Sequence, residues 1–476
     1  MKTGAEYVGS LRDNRKVYLD GELVQDVATH PRLAPAVAWV AEGYDRTRAA
    51  GHDIHPLFRP STSKQDLRDR VRMTVEDSVG TDLTLSTTSS SLFALLTARA
   101  DLVRHKAEYG DRIDRYFDFV RDNDLRVAEG ITDSKGLRTK SPLQQDDASQ
   151  YVRVVERTPE GVVIEGAKLH VSGAPLVHEI LVMPTKRFGP GEEDYAIACA
   201  VPLDAEGVHI LSASYAPHGG DARDFPVSAR HNMPEGFVVL DRVFVPNERI
   251  FLDGEVAVSA RIVHALGLWE RLGGLTHLSM NGDELLGLGL LAAEANGLQR
   301  VPHIRESLCE IAIYTTILRG MLEAAIETSG VTDDGLVYPG DLMTNAGKYY
   351  GASNYSQMVQ RLHDIAGGIV VTAPSMASFD DPRTVDFVER YIGTSDSVSG
   401  RYRAALMHTI RDVTADALGG WRNVTKLMSG GGMMAQRLVT MKHYDVEGAK
   451  QRALAMFAHV LEDVELVGAG AAAQPR

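Results

Sequence analysis

The chain has 476 residues, of which 44% are hydrophobic and 24% are charged. This composition is typical of a globular protein and is too apolar for a disordered one. The 64 acidic residues outnumber the 50 basic ones, and the resulting net charge of −14 argues against a general binder of nucleic acid or anionic lipid.

The sequence contains no run of about 18 apolar residues, the length that a membrane-spanning helix needs. Its first residues also lack the apolar core of a secretory signal peptide. The two cysteines, Cys199 and Cys309, are too few for a four-cysteine zinc or iron–sulfur site and are typical of a reducing compartment. We therefore expect a cytoplasmic protein that binds neither membrane nor nucleic acid, and we expect it to be an enzyme.

The first part of the chain is mostly helical in pattern. Apolar residues recur at three- and four-residue spacing over residues 33–44, 92–109 and 111–123. Ser63 is placed to cap a further helix, because Asp66 stands three residues on in the position of a capping-box acid. These patterns predict a helical N-terminal domain over residues 1–145.

Short runs rich in Val, Ile and Tyr begin near residue 150. They are separated by Gly, Pro, Asp and His at spacings typical of hairpins. The runs cover residues 151–156, 162–165, 168–171, 179–183, 195–202, 208–214 and 236–245. We expect a central β domain over residues 146–258.

Helical spacing returns after about residue 260 and continues to near the end. Residues 285–295 are apolar on nearly all sides, as in a helix buried inside a bundle. Further helices are predicted over residues 304–329, 341–366, 384–391, 400–418 and 446–467. We expect a C-terminal helical bundle over residues 259–476, ending in a frayed tail with the sequence GAGAAAQPR.

Six ordered blocks of sequence carry a further signal. They are VYLDGELVQDVATHP (17–31), NDLRVAEGITDSKGLR (123–138), GVVIEGAKLHVSGA (161–174), RVFVPNERIF (242–251), DIAGGIVVTAPSMASF (364–379) and GGGMMAQRL (430–438). Together they resemble the 4-hydroxyphenylacetate 3-hydroxylase family, which includes 4-hydroxybutyryl-CoA dehydratase. In detail, the sequences of the blocks are more similar to the dehydratase branch. The resemblance implies an α+β fold of the acyl-CoA dehydrogenase type, with a helical N-terminal domain, a central β-barrel or sandwich and a C-terminal helical bundle.

The resemblance also implies an FAD site. Its contacts would come from the loop after the N-terminal helices, from a strand of the β domain and from a C-terminal segment of a neighbouring subunit. The implied residues are Thr132, Asp133, Lys135, Gly136, Arg138, Ser172, Gly432, Met433, Met434 and Ala435. Glycine lets the backbone approach a ligand closely, and Arg and Lys donate to a diphosphate or to the polar edge of the flavin ring. Taken in isolation, the run TDSKGLR is more typical of a solvated surface turn.

The sequence departs from the dehydratase branch at the ligands of that branch's [4Fe–4S] cluster. Thr84 and Thr88 stand at two of the cysteine positions. Glu270 stands at the histidine position and His277 at the third cysteine position. Because thiolates hold such a cluster, we expect no iron–sulfur cluster in this protein. Whether a single metal ion replaces the cluster stays open, and no metal ligands are assigned.

The residues that bind a phenolate in the aromatic hydroxylases are replaced as well. Thr87 stands at the position of an Arg, Ser91 at that of a Tyr, and Glu129 at that of a His. A substrate that offers a hydroxyl, amine or ammonium group suits this set better than 4-hydroxyphenylacetate. The surrounding run STTSSS (86–91) is compatible with a flexible loop. We favour the wall of a polar substrate pocket, shared with the threonines at the cysteine positions.

Glu270 and His277 are seven residues apart and would share one face of a continuous helix. They are candidates for an acid–base pair, for contact with the substrate, or for two ligands of a metal ion. The alternative is a partly exposed helix face without a function. Two ligands alone make a poor metal site, so we favour acid–base chemistry or substrate contact, with Glu129 as a third candidate catalytic residue.

The resemblance and these residues together predict the oxygenase component of a two-component monooxygenase, assembled as a homotetramer. It would receive reduced FAD from a separate flavin reductase and use O2 to hydroxylate a small organic substrate. No Gly-x-Gly-x-x-Gly run follows a predicted strand, so a nicotinamide site is not indicated. Two alternatives remain. One is a cluster-less relative of the dehydratase that dehydrates, isomerises or dehydrogenates an acyl-type substrate with bound FAD. The other is a degenerate member of the family that binds flavin or a partner without catalysis.

Overall fold

The computed structural model describes residues 1–76, 83–395 and 397–460. Its helices are α1 (Gly4–Ser10), α2 (Ala34–Ala49), α3 (Lys64–Glu76), α4 (Leu83–Val103), α5 (Glu108–Asp122), α6 (Arg261–Ala295), α7 (Pro302–Glu327), α8 (Asp341–Ala366), α9 (Ile369–Thr372), α10 (Val385–Ile392), α11 (Gly400–Thr414), α12 (Ala417–Met428), α13 (Met433–His443) and α14 (Val446–Ala455). None of these helices combines the length and the apolar character that crossing a membrane requires.

The strands lie mostly between α5 and α6. They are β1 (Lys16–Leu19), β2 (Glu22–Leu23), β3 (Val127–Gly130), β4 (Thr132–Asp133), β5 (Arg153–Arg157), β6 (Gly161–Ser172), β7 (Glu179–Val182), β8 (Ile197–Pro202), β9 (Val208–Ala213), β10 (Glu235–Pro246), β11 (Ile250–Asp253), β12 (Gly330–Val331) and β13 (Val337–Tyr338). The last two form a small hairpin between α7 and α8.

Two β sheets form the centre of the molecule. The larger sheet has seven strands in the order β2-β1-β9-β10-β6-β4, with β5 also paired to β6, and the smaller has four in the order β11-β8-β7-β3. Ile164 and Val171 of the larger sheet and Ile180 and Val201 of the smaller one belong to one hydrophobic core. Neither sheet closes on itself among the described strands, so the structure shows a sandwich, one of the two expected forms.

The N-terminal part of the chain supplies strands as well as helices. β1 pairs in parallel with β9, where Val17 lies beside Ile210, and β3 pairs in parallel with β7. Both β1 and β3 have only four residues, which is too short for an alternating pattern to stand out in the sequence. The first 145 residues therefore contribute to both sheets, and the predicted domain boundaries stay a prediction.

The predicted helix cap at Ser63 is confirmed. The Asp66 backbone N–H donates to the Ser63 hydroxyl at 3.2 Å, and the Asp66 carboxylate accepts from the Ser63 backbone N–H at 2.9 Å. These reciprocal bonds satisfy two backbone donors at the start of α3 that the helix itself leaves free.

Several element boundaries differ from the sequence patterns. The helix predicted over residues 92–109 is α4, which starts and ends earlier. The two strands predicted over residues 162–165 and 168–171 are one strand, β6, which continues through Gly166 at a φ of 134°. α14 is shorter than the helix predicted over residues 446–467, and the predicted frayed tail lies outside the described residues.

The long helices α6, α7 and α8 form the core of the C-terminal bundle. Two glycines let α8 approach its neighbours closely, because a Cβ at Gly347 would lie 2.8 Å from Leu275 and a Cβ at Gly351 would lie 2.8 Å from Leu278. α4 packs against both α6 and β3. This junction of helix, strand and bundle contains the candidate catalytic residues.

Candidate functional site

The polar run STTSSS lies in helix α4 and is not a loop. The hydroxyls of Thr87 and Thr88 donate to the Thr84 carbonyl oxygen at 3.0 and 2.6 Å. The Thr88 hydroxyl also accepts a hydrogen bond from the Val127 N–H of β3 at 2.8 Å. These groups hold α4 against β3. Ser91 differs, because its buried hydroxyl has no hydrogen-bond partner among the described residues, and the pocket role of all four side chains stays a prediction.

Two candidate catalytic carboxyl groups, those of Glu129 on β3 and Glu270 on α6, are neighbours. Burial and the neighbouring Glu270 raise the pKa of Glu129 well above its ordinary value. Burial also raises the pKa of Glu270, while the neighbouring Ser90 and Glu129 side chains and the positive charge of Lys348 act in the opposite direction. The pair therefore favours the retention of one proton, because two adjacent buried carboxylates repel each other.

The carboxyl pair keeps hydrogen-bonding capacity that the described protein does not use. Both side chains are partly exposed, and the Oε1 atom of Glu129 has no hydrogen-bond partner among the residues that the structure describes. One carboxylic acid and one carboxylate offer a donor and an acceptor in the same place. The sequence did not reveal this pairing, because β3 and α6 are far apart along the chain.

His277 does not join the carboxyl pair. Its Nδ1 atom lies 2.9 Å from the Gly273 carbonyl oxygen and donates to it, so Nε2 is left for other contacts. Burial and the nearby charge of Lys426 lower the pKa of His277 to about 4, and the ring is neutral. Within the described ranges, no group of three or more His, Cys, Asp or Glu side chains is arranged to hold a metal ion.

Two lysines that the sequence reasoning missed lie beside these residues. The ammonium group of Lys348, on α8, donates to the Lys426 carbonyl oxygen of α12 at 2.7 Å. Burial and the charge of Arg271 lower the pKa of Lys348 to about 8, and burial and the charge of Arg422 lower the pKa of Lys426 to about 7. One signal was visible in the sequence: Lys348 stands four residues before Ala352 and seven before Tyr355, on the face of α8 that packs inside the protein.

Gly274 explains how Lys348 reaches this place. A Cβ at Gly274 would lie 2.6 Å from the Lys348 Cε atom, so a larger residue there would have to displace the end of the lysine side chain. Arg271, one turn earlier on α6, donates from Nε to the Gly430 carbonyl oxygen at 2.8 Å. Gly430 and Gly431 both have positive φ, 69° and 84°, and this turn leads directly into α13.

The predicted C-terminal cofactor segment begins at that turn. Gly432 caps α13, and its carbonyl oxygen accepts from the Ala435 N–H at 2.9 Å. Met433 and Met434 form the first turn of the helix, and Met434 is exposed. The structure thus places the segment next to α6 of the same chain, and its contact with a flavin in a neighbouring subunit stays a prediction.

The predicted flavin loop begins with a buried ion pair. Asp133, next to Thr132 on β4, lies 2.7 Å from the Lys168 ammonium, and each side chain is 1% exposed. The Asp133 carboxylate also accepts from the Val152 N–H at 3.0 Å, and Lys168 donates to the Met183 carbonyl at 2.9 Å. Asp133 is therefore fully engaged inside the protein, and its contact with a flavin stays a prediction.

The rest of the loop presents positive charge without a counter-ion. Lys135 and Gly136 both have positive φ, 70° and 49°, which turns the backbone sharply. Burial and the charge of Arg138 lower the pKa of Lys135. No carboxylate of the described chain lies within 4.0 Å of the Lys135 or Arg138 cations. Two unpaired cations at a tight turn fit an anion such as the diphosphate of FAD.

Ser172, the predicted neighbour of the flavin ring, is held by a buried acid. Its hydroxyl donates to the Glu235 carboxylate at 2.8 Å. The same carboxylate accepts from the Trp421 indole N–H at 2.7 Å, so it connects the larger sheet to α12. Burial raises the pKa of Glu235. The contact of Ser172 with a flavin stays a prediction.

Proteins of known function match this chain over nearly its full length. The 4-hydroxybutyryl-CoA dehydratase/vinylacetyl-CoA-Δ-isomerase of Clostridium aminobutyricum is 26% identical over 494 residues, covering 96% of this chain and 99% of its own length. The 4-hydroxyphenylacetate 3-monooxygenase oxygenase component of Thermus thermophilus is 26% identical over 499 residues, covering 98% and 100%.

Solved structures share the whole fold. An oxygen-tolerant archaeal 4-hydroxybutyryl-CoA dehydratase of N. maritimus is 27% identical, with a TM-score of 0.90 over 98% of this chain and 96% of its own. The oxygenase component of 4-hydroxyphenylacetate 3-monooxygenase, solved in complex with FAD, is 25% identical, with a TM-score of 0.88 over 98% and 100%. The predicted acyl-CoA dehydrogenase-like fold is confirmed.

Two family models describe the same chain. The model for the N-terminal part of 4-hydroxyphenylacetate 3-hydroxylase matches residues 3–252, and the model for its C-terminal part matches residues 259–458. Together with the shared fold and the cationic loop, they confirm the resemblance that the sequence blocks indicated. The chain belongs to the 4-hydroxyphenylacetate 3-hydroxylase family.

Proposed function

We propose that this protein is the oxygenase component of a two-component, reduced-flavin-dependent monooxygenase that hydroxylates a small organic substrate. The observation that carries the proposal is the pair of unpaired cations, Lys135 and Arg138, at the loop where the family's sequence blocks are retained. Full-length similarity to an oxygenase component of 4-hydroxyphenylacetate 3-monooxygenase supports it, as does the similarity to a structure complexed with FAD.

Two groups of residues would have separate roles, one in binding the flavin and one in binding the substrate. Lys135 and Arg138 would hold the anionic part of FAD, with Ser172 near the ring. Glu129 and Glu270 would orient the substrate and hold or move a proton, because one is protonated and the other ionised. Reduced FAD, supplied by a separate flavin reductase, would provide the reaction with O2 that transfers one oxygen atom to the substrate. The packing of α4 on β3 and α6 would limit the access of water.

The test is the binding of FAD in its two redox states. We expect the purified protein to bind reduced FAD under anaerobic conditions and to hold oxidised FAD more weakly, as measured by equilibrium ultrafiltration. Arg138→Gln and Lys135→Gln should each weaken the binding of reduced FAD about tenfold, since each removes a charge-assisted contact. Lys140→Gln is the matched control, because Lys140 lies in the same loop but pairs with Asp146. Failure to bind reduced FAD would overturn the proposal.

The second candidate is a cluster-less enzyme of the dehydratase type that acts on an acyl-type substrate with bound FAD. It is favoured by the TM-score of 0.90 to the archaeal dehydratase. Glu270 would then be the base, because neutral His277, with a pKa lowered to about 4, is a weak one. Oxidised FAD that stays bound through purification, together with turnover of an acyl substrate in the absence of O2, would favour this function over the first.

We propose in addition that the protein is a homotetramer in a reducing, cytoplasmic environment. Apolar side chains that are each more than half exposed line the outer sides of α12 and α13: Val424, Met428, Met434, Leu438 and Met441. Exposed apolar surface of this kind is typical of an interface between subunits. Mass photometry of the wild type and of Leu438→Glu tests the proposal, and a charged residue in the interface should shift the population towards smaller species.

A further inference from the structure

The end of strand β6 pairs Ser172 with Glu235 of β10. The two residues are directly opposite each other in the antiparallel ladder, and the Ser172 Oγ atom lies 2.9 and 2.8 Å from the two carboxylate oxygens of Glu235. The next residue, Gly173, has a φ of 72°, and a Cβ there would lie 2.8 Å from the Thr84 methyl carbon of α4. The Ser172–Glu235 pair is therefore close to the start of the helix that carries the predicted pocket residues.

The Glu235 carboxylate is also held from α12. Its Oε1 atom accepts from the Trp421 indole N–H at 2.7 Å, and the Trp421 ring packs against the Tyr215 ring with a centroid distance of 5.0 Å. Burial raises the pKa of this carboxyl group, whereas the hydrogen bonds from Trp421 and Ser172 lower it. An indole N–H can only donate, so the ionised carboxylate accepts hydrogen bonds from both neighbours.

This arrangement fixes which hydrogen bonds Ser172 can offer to a ligand. A serine hydroxyl has one hydrogen and two lone pairs. Because Ser172 donates its hydrogen to Glu235, its lone pairs are what remains, and the residue is partly exposed. A ligand that presents an N–H group to Ser172 gains a hydrogen bond, whereas a ligand that presents a bare nitrogen acceptor leaves two acceptors facing each other.

The two redox states of a flavin differ in this property, since reduction adds N–H groups to a ring that offers bare nitrogen acceptors when oxidised. We infer that Glu235 is a positioning residue, which fixes the Ser172 hydroxyl as a hydrogen-bond acceptor and thereby makes the flavin site prefer reduced FAD to oxidised FAD. The inference deepens the proposed function and rests on it, because the contact of Ser172 with the flavin ring is part of that proposal. Glu235 lies outside the sequence blocks that resemble the family.

The test measures the dissociation constants of oxidised FAD and, under anaerobic conditions, of reduced FAD by equilibrium ultrafiltration at pH 8. The ratio of the first constant to the second is the redox preference. Glu235→Gln should lower the redox preference about tenfold, because its amide oxygen still accepts from Trp421 while its NH2 group donates to Ser172 and turns the serine hydrogen towards the ligand. Ser172→Ala should lower it about fivefold by weakening the binding of reduced FAD, since one hydrogen bond is lost.

A double variant separates the hydrogen bond from the charge of Glu235. Glu235→Gln also removes a negative charge, which by itself favours an anionic reduced flavin and would raise the redox preference. In Ser172→Ala/Glu235→Gln no hydroxyl is left to turn, so the redox preference should not fall below that of Ser172→Ala. Glu156→Gln is the matched control, because it removes one charge from the same sheet, where Glu156 pairs with Arg242 at 3.0 Å, and it should keep the wild-type preference.

The reduction potential of the bound flavin gives a second readout. A tenfold loss of redox preference lowers the two-electron midpoint potential of bound FAD by about 30 mV. Spectroelectrochemical titration of the wild type and of Glu235→Gln measures this shift, and denaturation midpoints check that each variant is folded. A purely structural role of Glu235 would weaken the binding of both redox states alike and leave the potential unchanged.

The results distinguish this inference from the proposed function. An unchanged redox preference in Glu235→Gln, an equal loss of affinity for both redox states, or the same fall with and without the Ser172 hydroxyl would overturn the role of Glu235. If the wild type binds reduced FAD in those measurements, the proposed function stands without it. If the wild type does not bind reduced FAD, the proposed function itself fails, and the role of Glu235 fails with it.

Discussion

Asp133 and Glu129 are four residues apart, and both carboxyl groups are withdrawn from bulk water, but their surroundings differ. Asp133 pairs with Lys168 at 2.7 Å and accepts a further backbone hydrogen bond. Glu129 faces a second carboxyl group, Glu270, and one of its oxygens has no partner in the described chain. The first group is satisfied by the protein alone, whereas the second keeps capacity for a ligand.

The difference indicates where stability and function separate in this fold. When one partner of a buried ion pair is removed, the other charge is left buried without compensation, and the native state is strongly destabilised. Two carboxyl groups that share a proton lower the stability of the protein. Such a pair is kept where a ligand uses its unsatisfied atoms. Substitutions in the two regions should therefore have opposite consequences.

The largest effect is expected at the ion pair. Lys168→Met leaves the Asp133 carboxylate buried without its counter-charge, and the free energy of unfolding should fall by about 3–5 kcal/mol. The midpoint of chemical denaturation measures the loss. The double variant Asp133→Leu/Lys168→Met removes both charges and should recover most of it. If Lys168→Met has the wild-type midpoint, the buried ion pair is not needed for stability, and the contrast between Asp133 and Glu129 fails.

A similar contrast is expected within α4. Thr88→Val removes the hydroxyl that accepts the Val127 N–H, and a buried donor left without a partner costs about 1–3 kcal/mol. Ser91→Ala removes a hydroxyl that has no hydrogen-bond partner in the described chain, so the stability should stay within about 0.5 kcal/mol. Thermal and chemical denaturation of the two variants measure the difference. Equal losses would mean that Ser91 has a structural role.

The carboxyl pair should reveal itself through pH. Because the pKa of Glu129 is raised in the folded chain, the folded state keeps a proton that the unfolded chain releases above its ordinary pKa of 4.5. The stability from this proton is fully present below pH 4.5 and is lost as the pH rises towards the folded pKa, by at most about 1.4 kcal/mol per pH unit. Glu129→Gln cannot titrate, so its stability relative to the wild type should increase from pH 5 to pH 8.

Denaturation midpoints at pH 5, 6.5 and 8 test this prediction. Glu206→Gln, at an exposed acid, serves as the control and should keep a constant difference from the wild type. If the denaturation midpoints of Glu129→Gln and the wild type change in parallel with pH, Glu129 is ionised in the folded protein. The inference that the carboxyl pair shares a proton would then be wrong.

The smallest effect is expected from two glycines of α6. Replacing a glycine by alanine inside a helix usually stabilises it by about 0.5–1 kcal/mol. Gly287→Ala should show that gain, because a Cβ there meets no atom within 4 Å. Gly274→Ala should lose it, because the Cβ would lie 2.6 Å from the Lys348 Cε atom. The difference between the two melting temperatures measures the effect. A gain in stability at both positions would mean that the Lys348 side chain can adopt another conformation.

Long periodic segments of the fold could be predicted from the sequence, and short ones could not. The helices α7 and α8 begin and end within about two residues of their predicted bounds. The Ser63 cap followed from a local pattern and is present. β1 and β3 escaped detection, because a four-residue strand is defined by its partner in the sheet and not by its own sequence.

The candidate site shows the same limit. Glu129 and Glu270 could be named one by one from their positions relative to the family, but their contact depends on how α6 packs against β3. Lys348 and Lys426 stood in no block, and only the packing of α8 and α12 brings their charges beside α6. Sequence spacing identifies groups on one element, whereas tertiary packing decides which groups from different elements meet.

The pairing of β1 with β9 has a consequence for how the protein is made. The ribosome releases Val17 long before Ile210, the residue that lies beside it in the sheet. Until β9 emerges, β1 exposes an unpaired edge that other chains can join. We therefore expect the folding of the N-terminal segment to wait for the central sheet, and growing chains that are still short of β9 to be the species most dependent on chaperones.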